Sequence, residues 1–170
     1  MRIALDIDDV LACFMEAYQV KFETDKHPDR LKSKVITKNM WKVRKDKDFW
    51  TSLKVKNTLN FVPVLYCTKR INPKSFTKEW LLKNKFPDKP IYQVYNQSGN
   101  KAARIIGRCD VLIDDSVRNV LQAIQYGLPA LLYTTPENKD FEFPYRINSL
   151  DIFEIERVYN LQVNGQSSRN

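Results

Sequence analysis

Apolar residues fall into short runs separated by longer amphipathic stretches. Arg2–Asp6 reads as a short buried strand that ends abruptly in carboxylates, and from Val10 the positions Leu11, Phe14, Met15, Tyr18 and Phe22 recur at helical spacing. A helix is therefore expected after a turn at Ile7–Asp9. The run Phe61–Thr68 predicts a second strand, with Pro63 near its start, where a missing ladder N–H is tolerated. Beyond Pro73, the spacing of Phe76, Trp80, Leu81, Leu82 and Phe86 predicts an amphipathic helix. Ile91–Tyr95 predicts a third strand, Lys101–Ile106 a short helix, and Asp110–Ile113 a fourth strand closed by Asp114-Asp115. A helix from Val117 to about Tyr126 stops at Gly127, and Leu128–Tyr133 follows as a fifth strand. The last helix spans roughly Leu150–Tyr159, ahead of a polar tail, 161–170, expected to fray.

Strands separated by single helices imply right-handed crossovers, hence an α/β fold: a three-layer, Rossmann-like, mostly parallel sheet with helices on both faces. The stretch from about Thr24 to Asn57 departs from this alternation, being dense in Lys and Arg, with Trp41 and Trp50 interspersed and no strand pattern. It is expected to be a small helical insertion. The division is then a core of residues 1–15 and 58–160 with a basic helical cap of residues 16–57.

At 170 residues, 43% hydrophobic and 28% charged, the chain is of single-domain size and ordinary globular composition. No stretch approaches the ~20 apolar residues of a membrane span, and Met1-Arg2 runs straight into the first strand, so a cytoplasmic protein without membrane association is expected. Cys13, Cys67 and Cys109 are odd in number and flanked by apolar residues, which suits reduced core thiols. The single histidine, His27, leaves little material for a histidine zinc site or triad. The net charge of +8 is uneven: residues 21–56 carry +7 and 57–100 carry +5, against −3 for 1–20 and −1 for 101–170. A basic middle section favours anionic partners, whether small phosphates or nucleic acid, or forms a solvated face.

Ligand crevices in open parallel sheets lie beyond the carboxyl ends of the strands. Here those ends carry Asp6-x-Asp8-Asp9, then Thr68-Lys69-Arg70, then Asp114-Asp115, and Lys101 opens the helix before the fourth strand. If these edges converge, the carboxylates cannot all stay ionised without a cation, and hard oxygen donors point to Mg²⁺. Taken alone, each motif reads first as turn chemistry. Their order and placement carry the weight.

That order resembles the haloacid dehalogenase (HAD) superfamily of phosphohydrolases. Leu5-Asp6-Ile7-Asp8-Asp9-Val10-Leu11 is similar to its first motif, Thr68 to its second, Lys101 to its third and Asp114-Asp115 to its fourth. The resemblance covers about residues 1–15 and 58–136, and an insertion between the first two motifs is what the superfamily calls a C1 cap. Within it, Asp8-Asp9-Val10-Leu11-Ala12-Cys13-Phe14, Tyr66-Cys67-Thr68, Asp110–Asp115 and Leu131–Thr134 are similar to segments of the 5'(3')-deoxyribonucleotidases, in which Gly usually stands where Asp9 is. Asp9 is expected in a solvent-side turn.

The resemblance implies Asp6 as nucleophile, forming an aspartyl-phosphate, and Asp8 as general acid and then base. It implies Mg²⁺ held by the Asp6 carboxylate, the Asp8 carbonyl and Asp115, with Asp114 behind. Thr68 and Lys101 would bind the phosphoryl group, and Phe14 would face the base. Lys69 and Arg70 either reach substrate phosphate or sit on the surface, and Trp41 and Trp50 either stack a base or form the cap's own core. The expected partner is a small phosphorylated substrate, a nucleoside monophosphate foremost, with assembly open between a single chain and a homodimer. Two other readings stay open: a phosphatase of DNA or RNA ends that uses the basic cap, and a catalytically idle phosphate- or partner-binding module.

Overall fold

The computed structural model describes residues 1–24, 34–94 and 99–167. Its elements run β1 (Ile3–Leu5), α1 (Phe14–Phe22), α2 (Lys34–Val43), α3 (Lys47–Thr51), β2 (Leu65–Thr68), α4 (Lys74–Lys83), β3 (Ile91–Gln93), α5 (Lys101–Ile105), β4 (Val111–Asp114), α6 (Val117–Gln125), β5 (Ala130–Tyr133), β6 (Arg146–Ile147) and α7 (Ile152–Ser167). The strands form one sheet of order β3-β2-β1-β4-β5-β6, and each neighbouring pair is parallel. From β1 the chain builds outward through β2 and β3, then returns to build outward on the other side from β4. The switch point therefore lies between β1 and β4, where such sheets open a crevice.

Alternation along the strands separates two cores. Ile3, Leu5, Val111, Ile113, Leu131 and Tyr133 face one side, against Trp80 and Leu81 of α4 and Ile155 and Val158 of α7. Ala4, Leu65, Cys67, Leu112, Ala130 and Leu132 face the other, against Ala102 and Ile105 of α5 and Val120 and Ala123 of α6. Three layers result, as the alternating pattern predicts. Cys67 and Cys109 are buried free thiols, and Cys13 is partly buried. No helix among the described residues is long and apolar enough to cross a membrane.

Several boundaries differ from the sequence expectation. The second strand begins only at Leu65, beyond Pro63. β6 is an additional strand of two residues, paired with β5 through Leu132–Arg146 and Tyr133–Ile147. The final helix does not stop at Tyr159 but runs to Ser167, because Gln162 is buried and bonds both the N–H (3.1 Å) and the carbonyl (3.3 Å) of Ala130. Tyr95, the expected end of the third strand, lies outside the described residues, as do His27 and the rest of 25–33 in the insertion.

The insertion contributes α2 and α3. Its return path clamps the loop after β1: the Cys13 N–H donates to the Lys54 carbonyl (2.9 Å) and the Lys56 N–H to the Leu11 carbonyl (2.7 Å). Asp46 caps α3 by accepting from the Phe49 N–H at 2.9 Å.

Candidate active site

Asp6 follows β1 and Asp114-Asp115 close β4, so the switch point sets three carboxylates side by side. One oxygen from each of Asp6, Asp114 and Asp115 lies within 4.8 Å of the others. Lys101, the first residue of α5, is 2% exposed and reaches both Asp6 Oδ1 and Asp114 Oδ2 at 2.7 Å. Both contacts are ion pairs, and the one to Asp114 is also a hydrogen bond. The expectation that Lys101 opens the helix before the fourth strand holds. Burial opposes its charge, but Asp114 and Asp6 outweigh burial and raise its pKa.

The carboxylates are not equivalent. Asp114 is saturated: it accepts from Lys101, from the Ser116 N–H (2.9 Å) and from Asn119 Nδ2 (3.0 Å and 3.2 Å). Asp115 is partly buried, and its carboxylate makes no hydrogen bond among the described residues. Its carbonyl accepts from Asn138 Nδ2 (2.7 Å), which Arg146 holds in turn (2.7 Å). Asn119, Asn138 and Arg146 thus brace the site without any signal in the sequence beyond their polarity. Burial pushes Asp6 up to about 7, with Asp114 and Asp8 adding to the rise and Lys101 opposing it. Asp115 rises well above the carboxylate range through burial and then Asp114, Asp6 and Asp9. Clustered hard oxygens, one carboxylate without partners and raised pKa values are the donor set that a divalent cation such as Mg²⁺ fits.

Thr68 ends β2 fully buried, its hydroxyl accepting from the Arg70 N–H at 3.3 Å. Lys69 is partly buried. Arg70, read from sequence as a surface or phosphate-reaching residue, has a side chain with no exposure; its Nε donates to Asp8 Oδ1 at 2.9 Å, and Nη2 lies 2.8 Å from the same oxygen. Asp9 does not occupy a solvent-side turn. It is 7% exposed at φ 56°, a left-handed conformation that glycine adopts without strain and Asp tolerates better than most residues. Its Oδ1 accepts from the Met15 N–H at 3.0 Å, and burial pushes its pKa to about 7 despite that bond.

The aromatic residues divide. Trp50 is fully buried, donates to the Val43 carbonyl (2.7 Å) and stacks on Phe14 with centroids 5.7 Å apart and planes 7° apart. Phe14 is 8% exposed within that cluster, which includes Tyr18 and Phe49. Trp41 is 56% exposed, with the Arg44 guanidinium 4.7 Å from its ring centroid.

No protein-family model matches the chain, and no curated protein matches it. Among solved structures, the HAD hydrolase YfnB of Bacillus subtilis, bound to magnesium, is similar at a TM-score of 0.47 and 13% identity, over 94% of this chain and 97% of that one.

Proposed function

We propose that the protein is a Mg²⁺-dependent phosphomonoesterase acting through an aspartyl-phosphate, with nucleoside monophosphates as its leading substrate class. One observation carries this reading: Asp6, Asp114 and Asp115 meet at the switch point of a parallel sheet with a buried lysine between two of them. Asp6 attacks phosphorus in line, a P–O bond forms, and the ester P–O bond breaks as Asp8 gives its proton to the leaving oxygen. Asp8 then takes a proton from the water that attacks the phosphoenzyme and frees Asp6. Thr68 and Lys101 stabilise charge on the equatorial oxygens, the main demand of phosphoryl transfer. Mg²⁺ would be held by Asp6, Asp115 and the Asp8 carbonyl, and would supply the positive charge that lets an anionic phosphate approach a carboxylate. Asp114, whose oxygens are already engaged, orients Lys101.

The test is phosphate release from ribo- and deoxyribonucleoside 5'- and 3'-monophosphates and a 3'-phosphorylated oligonucleotide, with Mg²⁺ or EDTA, beside Asp6→Asn. Mg²⁺-dependent turnover of mononucleotides that vanishes in the variant is expected. Substantial turnover by a folded Asp6→Asn protein refutes the nucleophile, and silence on the whole panel refutes the substrate class. The exposed Trp41 beside Arg44 favours a second reading, action on nucleic-acid ends, since a bare indole face stacks any base. That reading requires turnover of the oligonucleotide that falls steeply with salt.

A further inference from the structure

Arg70 is the most deeply buried arginine near the site, and its environment is unusual for a structural residue. Its guanidinium carbon lies 5.3 Å from the Trp50 ring centroid and 5.4 Å from that of Trp80, so an indole from the insertion and one from α4 flank it. Trp50 is backed by Phe14 and Trp80 by Phe86, which fixes both rings. The indole N–H groups are anchored as well, Trp80 donating to the Leu53 carbonyl (2.8 Å) and Trp50 to that of Val43 (2.7 Å). An arginine side chain carries five N–H donors in a fixed fork. Here the side chain has one hydrogen-bond acceptor, Asp8 Oδ1, and neither Nη makes a hydrogen bond.

We infer that Arg70 is a positioning residue for the proposed acid–base group: with its guanidinium carbon packed over two indole rings, it fixes the direction of the Asp8 carboxyl toward the leaving oxygen. The inference rests on the phosphomonoesterase reading and deepens it. The two rings confine the guanidinium, and its Nε and Nη2 both meet a single carboxylate oxygen, so the other oxygen of Asp8 is left to handle the proton. The carboxyl remains 20% exposed while its anchor is not exposed at all, as expected of a group that must meet substrate from a fixed mount. Trp50 belongs to the insertion, so the insertion would serve the chemistry as well as shield it.

A misplaced acid matters only when the leaving group needs a proton. The test compares kcat/KM, which reports steps up to leaving-group departure, on a nucleoside 5'-monophosphate with its poor alkoxide leaving group and on p-nitrophenyl phosphate with its good one. Arg70→Gln is expected to lose about 100-fold on the nucleotide, the lower range of general-acid contributions, and far less on the aryl ester. Retained aryl turnover shows that the site is folded. Arg70→Lys keeps charge and bulk without the planar fork, so it should show the same leaving-group-selective loss. In an Asp8→Asn background, Arg70→Gln should cost nothing further. Equal losses on both esters, wild-type behaviour of Arg70→Lys, or multiplied losses in the double variant each overturn the assignment. If Asp8→Asn itself does not discriminate between the esters, or the wild type turns over neither, the proposed function fails and takes the inference with it.

Discussion

Replacing Asp6 by Asn should produce an inactive protein that is more stable than the wild type when metal is absent. Asp6 is 5% exposed, and burial with neighbouring Asp114 and Asp8 carries its pKa from 3.8 to about 7 even with Lys101 in contact. That rise corresponds to ~4 kcal/mol of cost for the ionised form, at 1.36 kcal/mol per pH unit. Folded Asp6 binds its proton more tightly than the unfolded chain does, so the folded state loses stability as pH rises from about 4 to about 7. Asparagine resembles the protonated form at every pH. The two proteins should therefore melt together near pH 4 and diverge to a plateau above pH 7. Because the site relaxes around the ionised group, 4 kcal/mol is a ceiling, and about 2–4 kcal/mol is expected. At roughly 2–4 °C per kcal/mol for a chain of this size, Asp6→Asn should melt ~4–16 °C above the wild type at pH 8 in EDTA. Thermal melts by circular dichroism at pH 4, 6 and 8 read this directly. A variant that melts below the wild type at pH 8, or a difference that does not vary with pH, would show that the carboxylates are not held under mutual strain.

Other consequences follow from the same geometry. Mg²⁺ should raise the wild-type melting temperature by several degrees, about 2.7 kcal/mol at a hundred times its dissociation constant, and should hardly move Asp115→Asn; equal shifts in both would exclude Asp115 as a ligand. Lys101→Met leaves Asp6 and Asp114 buried without their cation, so a loss of about 3–5 kcal/mol at pH 8 is expected in urea unfolding, along with a greater loss of activity than Lys69→Ala causes. Trp50→Ala empties a fully buried site and should cost about 3–5 kcal/mol, whereas Trp41→Ala on the exposed face should stay within about 0.5 kcal/mol; comparable losses would mean that Trp41 is packed in solution.

The β1 and β4 ends were legible because a strand buried on both faces reads as an unbroken apolar run, so the carboxylate that ends it stands out at once. Ile3-Ala4-Leu5-Asp6 and Val111-Leu112-Ile113-Asp114 are such runs. Their adjacency stays conditional in the sequence, since helix-linked parallel strands narrow the possible orders without fixing one, and the observed order sets β1 beside β4. β6 was not legible, because two residues cannot display a period. The last two turns of α7 were hidden for another reason: Gln162 looks like a surface residue until the backbone of Ala130 supplies its partners. Asp9 and Arg70 were misread in the same way. Each is charged and loop-placed, and each is buried by groups that local pattern cannot bring near: the Met15 N–H six residues on, and indoles twenty residues before and ten after.

The charge balance of the site argues for a cation independently of any likeness. Among the described residues, the ion pairs that reach Asp6, Asp8, Asp114 and Asp115 come from Lys101 and Arg70, and with all four carboxyls ionised the formal charge is −2 before Asp9 at the margin is counted. Protein interiors tolerate such an excess by protonating a carboxyl or by holding a counter-ion. The first route would silence the proposed nucleophile, because a protonated Asp6 cannot attack phosphorus. The second returns Asp6 to its anion and offsets the excess with one divalent ion, so that the proposed phosphate substrate would meet a site that is no longer negative. Lys101 cannot substitute for that ion, since Asp114 already shares its charge with Asp6, and Arg70 cannot either, since Asp8 holds it. Each fixed cation is committed to a carboxylate, and the only carboxylate of the four with neither a hydrogen bond nor an ion pair among the described residues is that of Asp115, at the edge where solvent still reaches.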